Sequence, residues 1–270
     1  MGFYSSASLV QDARRHGVKV LPVCVQLSDE LCRVESDEAI RLGVASVHGV
    51  RLAAVRAMLA ARSARPFVSL EDFFQRTEFN PAERRALAGA GALNALAGHR
   101  RAALWRVEEA RPEDDLFRYA TESADAAEPP LERMTLLERL EADYTHLSLT
   151  TGAHPMKLLR ARLPDLWPAA ELARARPGER VMIGGAVITR QRPGTAKGVC
   201  FITLEDETGL ANAIVRPKLF EEARLVINLE PALVITGRVQ NEQGVIHVLA
   251  EAIVAMPALG LPAQDSHDYS

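Results

Sequence analysis

Cysteine is scarce: the chain of 270 residues carries three, Cys24, Cys32 and Cys200, and no CxxC pair. An odd, sparse set suits reduced thiols better than a disulfide framework or a zinc site. Long apolar runs are missing too. No stretch approaches the ~20 residues that a membrane-spanning helix needs, and the N-terminus lacks the basic, apolar and small-residue succession of a signal peptide. The expectation is a cytoplasmic globular chain with no membrane partner. Aromatic residues make up only 5% of it, and the formal charge is a mere -3.

At 48% hydrophobic the chain can bury real cores, and its length allows two or three small domains. The small net charge hides a segregation. Residues 38–105 hold ten Lys+Arg against five Asp+Glu, whereas 106–143 hold five against twelve. A basic module is therefore followed by an acidic connector. Attraction for phosphate depends on the local face presented and not on the total charge, so the small net charge does not exclude a nucleic-acid partner.

The opening reads as a helix capped by Ser5 or Ser6 and stopped at Gly17, with an extended piece through Val18, Val20, Val23 and Val25 packed on it. Residues 38–105 are helical by pattern. Within them LGVASVHGVRLAAVRAMLAA, from Leu42 to Ala61, fits a helix-hairpin-helix. Gly49 allows the tight turn, and the free amides opening the second helix can meet a DNA phosphate along the helix dipole. Such contacts position a duplex without reading its sequence. His48 and Arg51 flank the turn as candidate phosphate contacts. A plain helical hairpin, its glycine serving only the turn, is the alternative. A second hairpin is expected over Asn80–Leu104, with Pro81 in a first turn and Gly89, Gly91 and Gly98 as breaks. Packing against the first hairpin explains it better than direct DNA contact does, although Arg100 and Arg101 are candidates to reach phosphates.

Residues 106–130 are acidic, proline-bearing and aperiodic, and read as a linker. Residues 131–176 read as a helical bridge, in which His154 before Pro155 suits a helix start better than catalysis. From 177 to 256 five strands are expected, at 181–190, 199–205, 210–215, 232–240 and 245–256, with a helical piece between the third and fourth and Asp206–Gly209 as a hairpin turn. That order is the OB-fold. Arg190, Arg192 and Lys197 lie in and beside its first long loop as a phosphate track, and Phe201 is the one aromatic of the central strands available for base stacking. With eight Lys+Arg against nine Asp+Glu, such a barrel binds single strands weakly, and a bracing role is the competing reading. Residues 257–270 are expected to be a polar tail.

Two segments carry a resemblance. RPGTAKG followed by LEDETG, within 192–209, resembles the OB-fold segment of the error-prone branch of bacterial C-family DNA polymerases, relatives of the replicative polymerase III alpha subunit. MGFYSSASLVQDARRHGVKV, at the other end, is similar to the last part of the fingers domain in the same family. The resemblance implies an α+β multidomain chain: the end of the fingers at 1–37, a tandem helix-hairpin-helix domain at 38–105 and an OB-fold at 177–256. It implies the C-terminal portion of a longer polymerase, Met1 corresponding to an internal methionine. The metal-binding palm aspartates, which hold magnesium in the complete enzyme, would lie upstream. This chain would then hold no catalytic residue, metal site or cofactor, and would bind DNA without sequence preference and without synthesis. The full protein would act in damage-induced translesion synthesis, beside an inactive Y-family-like protein and a RecA-like accessory. Family members carry a sliding-clamp motif after the hairpins, commonly starting with glutamine and ending in Leu-Phe; here Glu113 stands at the glutamine position, with Leu116 and Phe117 at the end. Asn94 stands where the family's second hairpin usually has aspartate. A freestanding DNA-binding accessory protein, or a nonfunctional remnant of a broken polymerase gene, are the alternatives.

Overall fold

The computed structural model describes residues 5–109, 131–242 and 244–257, together with a short strand at 267–269. It divides into two compact units. One is Gly17–Thr151; the other joins Met1–His16 to Gly152–Ser270. Both cuts fall inside segments expected to be continuous, 1–37 and 131–176.

In the first unit, β1 (Lys19–Leu21) pairs in parallel with β3 (Ala39–Arg41), and β2 (Arg33–Ser36) pairs antiparallel with β3. Residues 39–41 are thus a strand and not the start of the helical stretch. The first arm of the first hairpin is a single 3-10 turn, Val44–Ser46, because the Val44 and Ala45 amides bond to the Asp29 and Glu30 carbonyls of the preceding loop. Beyond it α2 (Leu52–Ala64) and α3 (Leu70–Arg76) pack around Phe73, whose ring stands edge-on to Phe67 at 5.1 Å and stacked on Phe79 at 5.8 Å. The second hairpin is α4 (Pro81–Gly89), the short α5 (Asn94–Ala97) and α6 (Arg100–Glu109). Pro81 sits in the first turn of α4, and Asn80 and Glu83 close a reciprocal capping box. Since α6 runs to Glu109, residues 106–109 of the expected linker are helical. Helix α7 (Leu136–Leu147) opens on a second capping box, Thr135 with Glu138. A Cβ at Gly89 would overlap the His146 imidazole, so that glycine lets α7 approach α4.

In the second unit, α1 (Ser6–Arg15) is capped by the Ser5 hydroxyl, which accepts the Ser8 amide at 3.1 Å. Helix α8 (Pro155–Leu159) is capped by His154, whose Nδ1 accepts the Met156 amide at 3.1 Å. The rest is a closed five-stranded barrel: β4 (Arg180–Gln191), β5 (Cys200–Glu205), β6 (Leu210–Val215), β7 (Ala232–Glu242) and β8 (Val245–Ala255), ordered β5-β6-β8-β7-β4 and closed by β4 with β5. β6 and β8 run parallel and the other barrel pairs antiparallel, the OB-fold topology. Alternation along β5 and β6 sends Cys200, Ile202, Leu204, Ala211, Ala213 and Val215 inward, and α9 (Pro217–Glu222) and α10 (Arg224–Leu229) plug one end with Phe220 and Ile227. The β5–β6 turn is an Asx turn: the buried Asp206 carboxylate accepts the Thr208 and Gly209 amides at 2.7 and 2.9 Å. Three residues of the expected polar tail form β9 (His267–Tyr269), parallel to β4 at 189–191. That stretch of β4 lies beyond its pairing with β7, which ends at Ala186, so its edge is open.

Candidate nucleic-acid interface

At the tip of the first hairpin, His48 and Gly49 are exposed. Gly49 has φ +76°, and the direction a Cβ would take meets open space. Helix α2 has no side-chain cap, and its first internal bond runs from the Val55 amide to the Arg51 carbonyl. The Leu52, Ala53 and Ala54 amides are therefore left at the end of a thirteen-residue helix, where the dipole favours an anion. The tip is held in place from behind. The Arg51 amide donates to Glu83 at 2.9 Å, its Nε and Nη2 donate to the same carboxylate at 2.8 and 2.9 Å, and the Asn80 amide adds a fourth bond at 2.8 Å. Glu83 is 1% exposed. Arg51's hydrogen bonds outweigh the desolvation that burial imposes, holding its carboxyl down at about 2. Arg51 thus ties the first hairpin to the second, and its charge is already matched.

The other expected cations of this unit are also paired. Arg100 is nearly enclosed and meets Asp143 at 2.5 Å, while Arg101 meets Glu138 at 2.6 Å. Both latch α6 onto α7. Asp143 and Glu138 lie 43 and 37 residues further along, so sequence patterning could not couple them.

On the barrel, Arg190 is a correction to the expected phosphate track. It is buried, and its guanidinium donates to the Ile227 carbonyl and, at 2.6 Å, to that of Glu230. It satisfies the carbonyl end of α10 instead of facing solvent. Arg192 lies 4.3 Å over the Phe220 ring and 3.3 Å from Glu221, with a partly exposed side chain. Lys197 is exposed, in a left-handed conformation at φ +51°. Phe201 points outward from β5, half-buried, between Gln191 of β4 and Ile214 of β6 in the register. Beside it Thr203 and Asn212 share a hydrogen bond at 2.9 Å. The outer face of β5–β6 with the β4–β5 loop thus offers one aromatic, two polar side chains and two cations, which suits weak backbone-and-base contact with a single strand.

Among the described residues no group of three or more His, Cys, Asp or Glu side chains converges to hold a metal ion. No described helix is long and apolar enough to cross a membrane. Glu113, Leu116 and Phe117, the expected clamp contacts, lie outside the described residues.

Comparison with known proteins gives a consistent picture. Residues 17–103 match the family described as helix-hairpin-helix motif, and 181–255 match the family described as OB-fold nucleic acid binding domain. The chain is 42% identical over 286 residues to the error-prone DNA polymerase of Azoarcus sp. (strain BH72), covering 100% of this chain and 26% of that one. It is 39% identical over 274 residues to error-prone DNA polymerase 2 of Rhizobium meliloti (strain 1021), covering 96% of this chain and 25% of that one. It therefore spans about a quarter of the length of the curated relatives it matches. Among solved structures, asparaginyl-tRNA synthetase from Pyrococcus horikoshii aligns with 30% of this chain and 20% of its own at 26% identity, with a TM-score of 0.26.

Proposed function

We propose, from the premise that this chain is kin to the error-prone DNA polymerases and spans about a quarter of their length, that it is their C-terminal DNA-holding part. It binds DNA without regard to sequence. The observation that carries this reading is the hairpin tip: an exposed glycine at positive φ, open space before it, and an uncapped helix end directly behind. Backbone amides there can bond phosphates at any sequence. The barrel adds a second, weaker contact for single strands through Arg192, Lys197 and Phe201. In the whole polymerase these two units would grip primer-template, while nucleotide addition would use magnesium held by carboxylates of an upstream palm. The setting would be damage-induced translesion synthesis in the cytoplasm, beside an inactive Y-family-like protein and a RecA-like accessory, with Glu113, Leu116 and Phe117 meeting a sliding clamp. The family's division into end of fingers, paired hairpins, linker and barrel fits this use, the hairpins and barrel being the parts that touch DNA.

The barrel's share is tested by fluorescence anisotropy with labelled single-stranded and duplex oligonucleotides. Phe201→Ala is expected to weaken single-strand binding by about 1 kcal/mol, near fivefold, because one base loses its stacking partner. Duplex affinity should stay within a factor of two or so, an effect too small to count as a lost contact. Equal loss on both substrates, or none on either, would assign the barrel a bracing role.

A further inference from the structure

The unit built from α1 and the barrel contains a cleft of about 510 Å³ that the DNA-holding reading does not use. The last turns of α1 supply Gln11, Arg14 and Arg15 to its walls, and the region of α8 supplies His154, Lys157 and Arg160. Of its four cations, two are matched by carboxylates. Arg15 meets Glu205 at 2.9 Å, and Arg160 meets Asp206 at 2.8 Å and Glu207 at 2.7 Å. The other two are not. Arg14 donates to the neutral Gly152 carbonyl, and no ion pair engages Arg14 or Lys157 among the described residues.

The neutral groups in the walls are also donors. His154 accepts the Met156 amide at Nδ1, and burial keeps its imidazole uncharged near pH 7 by pulling its pKa to about 4, so its hydrogen sits on Nε2. Gln11 is nearly buried and presents an amide. The one carboxylate in the walls, Glu207, has both oxygens engaged by Arg160, at 2.7 and 3.0 Å. The cleft therefore offers unmatched positive charge and hydrogen-bond donors, with its one carboxylate already engaged by Arg160. A phosphate group is the common biological ligand with the opposite inventory: multiple negative oxygens and no donor. The volume exceeds that of one phosphate and lies in the range of small-ligand sites.

We propose that this cleft binds a phosphate group, with Arg14 and Lys157 supplying charge and Gln11 and His154 supplying neutral hydrogen bonds. The phosphate belongs either to the backbone of a DNA strand or to the polyphosphate of a nucleotide, and the chemistry is shared. The test is calorimetric titration of the full chain with pyrophosphate, dATP and a short single-stranded oligonucleotide, at low salt, repeated on Arg14→Gln/Lys157→Gln. Binding of pyrophosphate at one per chain is expected, weakened about tenfold per charged contact removed. Competition by the oligonucleotide would assign the phosphate to DNA; tighter binding of dATP without such competition would assign it to a nucleotide. Lys157→Glu, at an exposed position, repeats the test where the double variant fails to fold, and should weaken pyrophosphate binding by at least about tenfold with an unchanged melting temperature. Repeating the titrations on Gly49→Val separates the cleft from the hairpin tip, since pyrophosphate binding should persist there whatever happens to duplex affinity. Absence of binding by all three probes at millimolar concentration, or binding indifferent to both sets of substitutions, would overturn the site.

Discussion

Glu83→Ala is expected to destabilise the hairpin unit by about 3 kcal/mol. Glu83 accepts four hydrogen bonds, three from Arg51 and one from the Asn80 amide, inside a capping box and at 1% exposure. Removing it strands two backbone amides and a guanidinium at once. Breaking a buried ion pair from one side costs about 3–5 kcal/mol, a large share of the roughly 5–15 kcal/mol that holds a domain folded. Arg51 is 58% exposed, so water recovers part of its loss, and the lower end of that range is expected. Glu83→Gln retains the shape and one acceptor and should fall between the two. The pH dependence has a definite sign. Glu83 titrates at about 2 in the folded chain against an ordinary 4.5, so it binds fewer protons folded than unfolded. Its contribution is complete above pH 4.5 and is lost as pH falls through 2. Urea denaturation followed by circular dichroism, at neutral pH and in acid, measures both. A Glu83→Ala chain within about 1 kcal/mol of the parent would show the network to be surface decoration.

Gly49→Val should cost DNA affinity out of proportion to its cost in stability. At φ +76° a side chain carries backbone strain of about 1–2 kcal/mol, worst for a β-branched residue. No protein atom lies within 4 Å of the added Cβ, so the fold should survive. The added methyls would instead occupy the space through which a phosphate reaches the amides of α2. Losing two amide–phosphate bonds of about 1.5 kcal/mol each weakens duplex binding by more than a hundredfold at fixed salt. Gly49→Ala should be intermediate. Anisotropy titration alongside a thermal melt separates the two effects, and a folded Gly49→Val chain with parental affinity would remove the tip from the interface.

Much of this architecture was legible because local chemistry and tertiary outcome agree. The five barrel strands follow from short runs of alternating β-formers, Asp206–Gly209 carries its own turn, and Asn80-Pro81 with Glu83 announces a helix start. The failures share a physical cause: they depend on partners far along the chain. Arg51, Arg100 and Arg101 look like free cations until Glu83, Asp143 and Glu138 are brought to them. Arg190 sits in a polar-looking loop approach, yet the end of α10, some 40 residues on, receives it. The 3-10 turn at Val44–Ser46 is shaped by carbonyls of the loop at 29–30, and β3, inside the expected helical stretch, is made by pairing with β1 and β2 earlier in the chain. The useful lesson lies in the sign of the error. An arginine-rich pattern overstates the number of phosphate contacts, because a small acidic-basic module matches most of its charges internally. Outside that internal matching lie the backbone tip at Gly49 and the exposed Lys197.

The central claim is that this chain holds DNA through phosphates and not through sequence. It is tested most directly by the salt dependence of duplex binding for two unrelated sequences of equal length. The account predicts a straight line of log affinity against log salt concentration, with a slope of about -0.9 for each phosphate neutralised and the same line for both duplexes. Binding that is indifferent to salt, that differs more than about tenfold between the two sequences, or that is absent at low salt would contradict it.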